Sequence, residues 1–122
     1  MFTIWKKKNI SIKKYQLELA GKLGKNLRIA HIIGGILINQ NAVIGDNVTF
    51  HGNNLVGNNG KSDKAPIIGN NVDIGYGAMI IGDIKIADGI KIGANSVVTK
   101  SFHEENIVIA GCPAKKIEKR EV

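Results

Sequence analysis

The stretch Ile36-Leu37-Ile38-Asn39-Gln40-Asn41-Ala42-Val43-Ile44-Gly45-Asp46-Asn47-Val48-Thr49-Phe50 decides the fold, because it sets large apolar residues at Ile38, Ile44 and Phe50. They stand six residues apart. The same phase runs on to Val56, skips at Ser62, and resumes at Ile68, Ile74, Ile80, Ile86, Ile92 and Val98. A period of six fits neither a 3.6-residue helix nor a two-residue strand. It is the period of a solenoid in which each hexapeptide forms one short flat side of a coil. Small or aliphatic residues recur two places before a rung, at Ala42, Val48, Pro66, Val72, Ala78, Ile84, Ile90 and Ser96. Each hexapeptide therefore turns a pair of side chains inward. Runs such as Gly45-Asp46-Asn47 and Gly69-Asn70-Asn71 supply corners, since Gly and Asn best tolerate left-handed backbone.

The ladder has two defects. An earlier, shorter ladder at Leu17, Leu23 and Ile29 is out of phase, because Ile29 and Ile38 stand nine residues apart. That phase break holds Ala30-His31-Ile32-Ile33-Gly34-Gly35. The second defect runs from Gly57 to Pro66, keeps the register, and has the Gly, Asn, Asp and Pro of a loop. It is expected to bulge from the coils. Three segments follow: a lead-in or cap over 1–16, the helix proper over 17–100 with its loop at 57–66, and a C-terminal segment over 101–122. The lead-in reads as a short helix or an extended strand, with Trp5 packing on the open end as terminal coils require. Ile107-Val108-Ile109 is a strand candidate, and Pro113 to Glu121 reads as a short basic helix across the last coil.

At 122 residues the chain is one domain. Its formal charge is +7, with the excess at the ends: Lys6, Lys7, Lys8, Lys13 and Lys14, then Lys115, Lys116, Lys119 and Arg120. Few aromatics interleave with these cations, which argues against a stacking platform and against nucleic acid as a partner. Cys112 is the only cysteine, so no intrachain disulfide forms. No apolar run is long enough to span a membrane, and no apolar segment follows the early lysines as in a signal peptide. The expected location is cytoplasmic.

Repeat, loop and ending together resemble the hexapeptide-repeat acyltransferases, most closely the serine acetyltransferase-like branch that includes polysaccharide O-acetyltransferases. The resemblance covers about 16–118. It is carried by Asn41-Ala42-Val43-Ile44-Gly45-Asp46-Asn47-Val48, by Pro66-Ile67-Ile68-Gly69-Asn70-Asn71-Val72-Asp73-Ile74-Gly75, by Ile92-Gly93-Ala94-Asn95-Ser96-Val97-Val98 and by Gly111-Cys112-Pro113-Ala114-Lys115. It implies an all-β, left-handed parallel β-helix assembled as a homotrimer, with active sites between subunits. It implies acetyl-CoA as co-substrate and a histidine, here His31, that activates a hydroxyl-bearing acceptor. An alcohol is a poor nucleophile at pH 7, and an imidazole near neutrality can take its proton during attack on a thioester. The matched CoA-contacting positions are Asn58, Tyr76 and Ala94, with Lys100 and Lys115 for the phosphates; Tyr76 stands where relatives often have Ala.

Departures from the pattern shape the rest. The family's usual carboxylate beside the histidine aligns with Gln16, and Glu18 on the same strand face is the candidate substitute. His51, about one coil after His31, is a further candidate for the same cleft. Serine acetyltransferases usually carry Asp before the histidine and Arg-His before the loop Pro; Ala30 and Lys64-Ala65 stand there instead. The resulting expectation is acetyl transfer to a carbohydrate hydroxyl, with a serine O-acetyltransferase-like enzyme or a non-catalytic β-helical scaffold as alternatives. A β-helical carbonic anhydrase would need three zinc histidines, two of them closely spaced; His31, His51 and His103 offer no such pair, and no metal is expected.

Overall fold

The structure is a computed structural model that describes residues 2–4, 10–31 and 33–121. Among these residues the strands are β1 (Phe2–Ile4), β2 (Ile10–Ile12), β3 (Leu17–Leu19), β4 (Lys22–Leu23), β5 (Leu27–Ile29), β6 (Ile36–Ile38), β7 (Val43–Ile44), β8 (Thr49–Phe50), β9 (Asn54–Gly57), β10 (Ile67–Ile68), β11 (Asp73–Ile74), β12 (Met79–Ile81), β13 (Lys85–Ile86), β14 (Lys91–Ile92), β15 (Val97–Val98), β16 (Ile107–Gly111) and β17 (Ala114–Lys119). Among the described residues the one helical element is a 3₁₀ turn at Lys13–Tyr15.

The strands form three sheets. Sheet I runs β1-β5-β8-β11-β14-β16-β17, sheet II runs β15-β12-β9-β6-β3-β2, and sheet III runs β13-β10-β7-β4. From β3 to β15 the chain visits sheets II, III and I in rotation, and successive coils pair in parallel. Each hexapeptide is thus one side of a triangular coil, as its period requires.

Register reads the ladder out residue by residue. Leu19, Ile38, Val56, Ile80 and Val98 stack in sheet II. Leu23, Ile44, Ile68 and Ile86 stack in sheet III. Ile29, Phe50, Ile74, Ile92 and Ile109 stack in sheet I. No rung from Ile38 to Val98 is more than 2% exposed, the polar skip at Ser62 apart. Burying each such side chain is worth about 1.5–3 kcal/mol, so the column of rungs is the main source of stability. The second inward row is buried with them, Val48, Val72, Ala78, Ile90 and Ser96 included. In the early ladder the rung aligned with Ile38 is Leu19, and Leu17 pairs with Ile36 instead.

The ladder survives the 57–66 loop for a simple reason. Ile44 and Ile68 are neighbours in sheet III, and the coil between them is six residues longer than the coil from Ile68 to Ile86. The insertion equals one repeat, so the phase returns. Ser62 is the skipped rung and is exposed with residues 59–64.

The C-terminus corrects one expectation. Pro113 to Glu121 is not a helix: β17 runs antiparallel to β16 and closes sheet I. The physical reason is the open edge of the last coil, whose unpaired N–H and C=O groups a strand satisfies and a helix does not. In the described part of the lead-in β1 runs antiparallel to β5 and β2 antiparallel to β3, with the 3₁₀ turn after β2. The packing expected of Trp5 and the cations Lys6, Lys7 and Lys8 lie outside the described residues. Among the described residues no helix is long and apolar enough to cross a membrane.

Candidate active site

The corner between sheets I and II stacks four turns. His31 follows β5, Gly52-Asn53 follows β8, Gly75-Tyr76-Gly77 follows β11, and Gly93-Ala94-Asn95 follows β14. The turns are tied coil to coil: Gly77 N–H donates to the Gly52 carbonyl at 2.9 Å and Asn95 N–H to the Tyr76 carbonyl at 2.8 Å. His31 is exposed, and its carbonyl lies against Gly52. The structure therefore brings His31, Tyr76 and Ala94, three of the residues singled out by sequence, onto one edge.

A residue missed by sequence reasoning holds that edge. Asn54 faces inward in register with Ile36 and is 4% exposed. Its Oδ1 accepts from Gly52 N–H at 2.9 Å, and its amide donates to the carbonyls of Gly75 at 2.9 Å and Ala78 at 3.0 Å. One side chain thus fixes two of the stacked turns. The signal was present: Asn54 breaks the run of small and aliphatic residues two places before each rung.

The expected partner of His31 is engaged elsewhere. Glu18 accepts from the Ser11 hydroxyl at 2.8 Å, and no side-chain hydrogen bond joins it to His31 among the described residues. Gln16 meets the phase break through its main chain, its carbonyl accepting from Ile36 N–H at 3.1 Å.

His51 faces out from sheet I, and its Nε2 lies 2.6 Å from Asp73 Oδ1. An ionised carboxylate only accepts, so Nε2 is the donor in this hydrogen bond. The pair lines a polar groove of about 720 Å³ with Arg28, Thr49, Asn71 and Asp88. Arg28 is anchored there, its Nε donating to Thr49 Oγ1 at 3.0 Å. Asp73 was hidden from sequence reasoning because the six-residue loop displaces it from the regular coil spacing.

The remaining candidates divide between two edges. Lys115 on β17 pairs with Ala110, which packs against Gly93 beside Ala94. Asn58 and Lys100 lie on the opposite edge of sheet II, after β9 and β15. Asn58 Oδ1 accepts from Gly60 N–H at 3.0 Å, and Lys100 Nζ stands 5.5 Å over the Phe102 ring. Lys64 in the loop is exposed and reaches Asp83 at 3.9 Å, while Ala65 is buried. Among the described residues no group of three or more His, Cys, Asp or Glu side chains is placed to hold a metal.

Known proteins resemble the chain in both sequence and shape. It is 40% identical over 96 residues to the serine acetyltransferase of Staphylococcus aureus strain N315, a match covering 77% of this chain and 45% of the relative. It superposes on the crystal structure of Brucella abortus strain S19 serine acetyltransferase in complex with coenzyme A with a TM-score of 0.78 and 37% identity, covering 86% of this chain and 42% of that one. Soybean serine acetyltransferase complexed with serine gives a TM-score of 0.75 at 37% identity, covering 83% and 42%. The chain spans about half the length of the curated relatives it matches. No protein-family model matches it. The shared fold is a left-handed parallel β-helix.

Proposed function

The chain belongs to the hexapeptide-repeat acyltransferase family, and on that premise we propose that it is an acetyl-CoA-dependent O-acetyltransferase acting in the cytoplasm. The carrying observation is the shared edge of His31, Tyr76 and Ala94 in a chain 40% identical to serine acetyltransferases. His31 is the general base. It takes the acceptor hydroxyl proton as the oxygen attacks the thioester carbonyl. The resulting oxyanion is met by backbone N–H groups. Collapse expels the CoA thiolate, which recovers the proton from the imidazolium.

The relatives favour serine as acceptor over the carbohydrate hydroxyl expected from Ala30 and Lys64-Ala65. A cation does remain at the loop, since Lys64 is exposed and only loosely paired with Asp83. A carboxylate-bearing acceptor therefore has one partner there.

The division of candidate residues between two edges of sheet II supports a homotrimer. A cleft between copies would set the His31 edge of one subunit against the Asn58 and Lys100 edge of its neighbour. The small side chains at Gly75, Gly93 and Ala94 leave room for pantetheine, and Lys100 and Lys115 are exposed cations for phosphate.

Substituting His31→Ala tests the base. Transfer should fall about a hundredfold or more, the usual contribution of a general base, while CoA still binds. Near wild-type turnover would overturn the assignment. CoA-thiol release with serine, nucleotide sugars and oligosaccharides identifies the acceptor, with serine expected to be used best. A folded protein that binds no immobilised CoA would instead be a scaffold.

A further inference from the structure

Tyr76 follows β11 on a corner it shares with His31, Asn53 and Asn95 and with the small residues Gly52, Gly75, Gly77, Gly93 and Ala94. Its ring lies along the surface in a seat. A Cβ placed on Gly52 would stand 3.1 Å from the ring carbon Cε2, and one placed on Gly34 would stand 2.8 Å from the phenol oxygen. Both glycines have positive φ, +124° and +93°, where a side chain is strained in any case. The two missing Cβ atoms make the space the ring fills. The same Gly52 position lies 2.8 Å from the carbonyl oxygen of His31 and 3.0 Å from that of Ile33. A tyrosine that follows β11 thus lies against the loop that follows β5, two coils away.

We infer that Tyr76 sets the length of the transferred acyl group, admitting acetyl and turning away longer chains. The inference rests on His31 being the base. A base must stand about 3 Å from the acceptor oxygen, and that oxygen must stand about 3–3.5 Å from the thioester carbon. The acyl carbon therefore lies within roughly 6–7 Å of the imidazole, and Tyr76 rests against the loop that bears it. Gly93 and Ala94 leave the coil above open, and the Tyr76 ring lies on Gly52 and Gly34, against the loop that carries His31. A methyl group needs little space, whereas each further methylene must be fitted against the Tyr76 ring, which rests on Gly52 and Gly34 and is 39% exposed. The phenol is not required for this role; the bulk of the ring is.

The test compares acetyl-, propionyl- and butyryl-CoA as donors by CoA-thiol release, using the acceptor the wild-type protein prefers. One methylene in such a pocket changes kcat/KM by roughly 10–200-fold, so wild type should favour acetyl-CoA over butyryl-CoA by at least about tenfold. Tyr76→Ala should raise the butyryl-to-acetyl ratio about tenfold or more, and Tyr76→Phe should keep the wild-type ratio. Thermal melts of both variants confirm that they fold, and Tyr76→Leu, of intermediate size, should give an intermediate ratio. A ratio in Tyr76→Ala within about twofold of wild type, or an equal change in Tyr76→Phe, overturns the inference while leaving the acetyltransferase reading in place. Absence of CoA release from acetyl-CoA with every acceptor tested overturns that reading, and this inference falls with it.

Discussion

Asn54 shows how one polar residue in an apolar column can serve a site it never touches. Its neighbours along the inward row are aliphatic, yet all its side-chain hydrogen bonds go to the main chain of the turns at Gly52, Gly75 and Ala78. Asn54→Leu would fill the space and leave a buried N–H and two carbonyls without this partner. The cost should be about 1–3 kcal/mol, read as a lower midpoint in urea unfolding. An unchanged midpoint would mean that water or a shift of the turns replaces the amide. The family resemblance pointed to His31, Tyr76 and Ala94, the first in the phase break of the ladder and the other two at matched positions of the repeat. Sequence reasoning missed Asn54 and Asp73, whose roles depend on contacts across coils. The spacing of such contacts is altered by the six-residue loop between them.

At the scale of elements, the rungs, corners and inward rows were legible because a strict period determines which face each side chain takes. The corners between sheets III and I add something the period does not announce. Asp46 Oδ1 accepts from Lys25 N–H at 2.8 Å, Asn70 Oδ1 from Asp46 N–H at 2.8 Å, and Asp88 Oδ1 from Asn70 N–H at 2.7 Å. Each corner is capped by the next, so the sheets are stitched along their edge by side chains as well as by strands. Asn70→Ala breaks one stitch and should cost about 0.5–1.5 kcal/mol, the net worth of one hydrogen bond. Asn71, next to it, sits at φ 58°. The same denaturation experiment on Asn71→Gly should show a smaller loss than Asn71→Ala, because glycine carries no Cβ penalty there. Equal losses would place the contribution in the side chain and not in the backbone. The C-terminal strand was illegible for a different reason. Ala114 to Lys119 lacks alternation, and what makes it extended is the unpaired edge of β16, a property of the neighbour.

At the scale of the whole molecule, the three outer faces differ in chemistry. Outward positions in register on sheet I are Thr3, Arg28, Thr49, Asp73, Lys91 and Val108, and on sheet III they are Lys22, Val43, Ile67 and Lys85. On sheet II they are Glu18 and then Leu37, Leu55, Met79 and Val97, four apolar side chains stacked on adjacent strands. Leu37 is 47% exposed, a cost in water that a second copy of the chain would remove. This stripe lies between the two edges that divide the candidate residues, so copies meeting along it would bring those edges together. Leu55→Lys places a charge in the middle of the stripe without touching the inward core. Burying it unpaired costs several kcal/mol, enough to separate the copies. Light scattering should show a trimer for wild type and a monomer for Leu55→Lys, with circular dichroism unchanged. Ile67→Lys, on the exposed row of sheet III, should remain a trimer. CoA binding should be lost with the trimer in Leu55→Lys and kept in Ile67→Lys. A wild-type monomer that binds CoA as tightly as any assembled form would show that one copy holds the whole site, and that the apolar face of sheet II has another use.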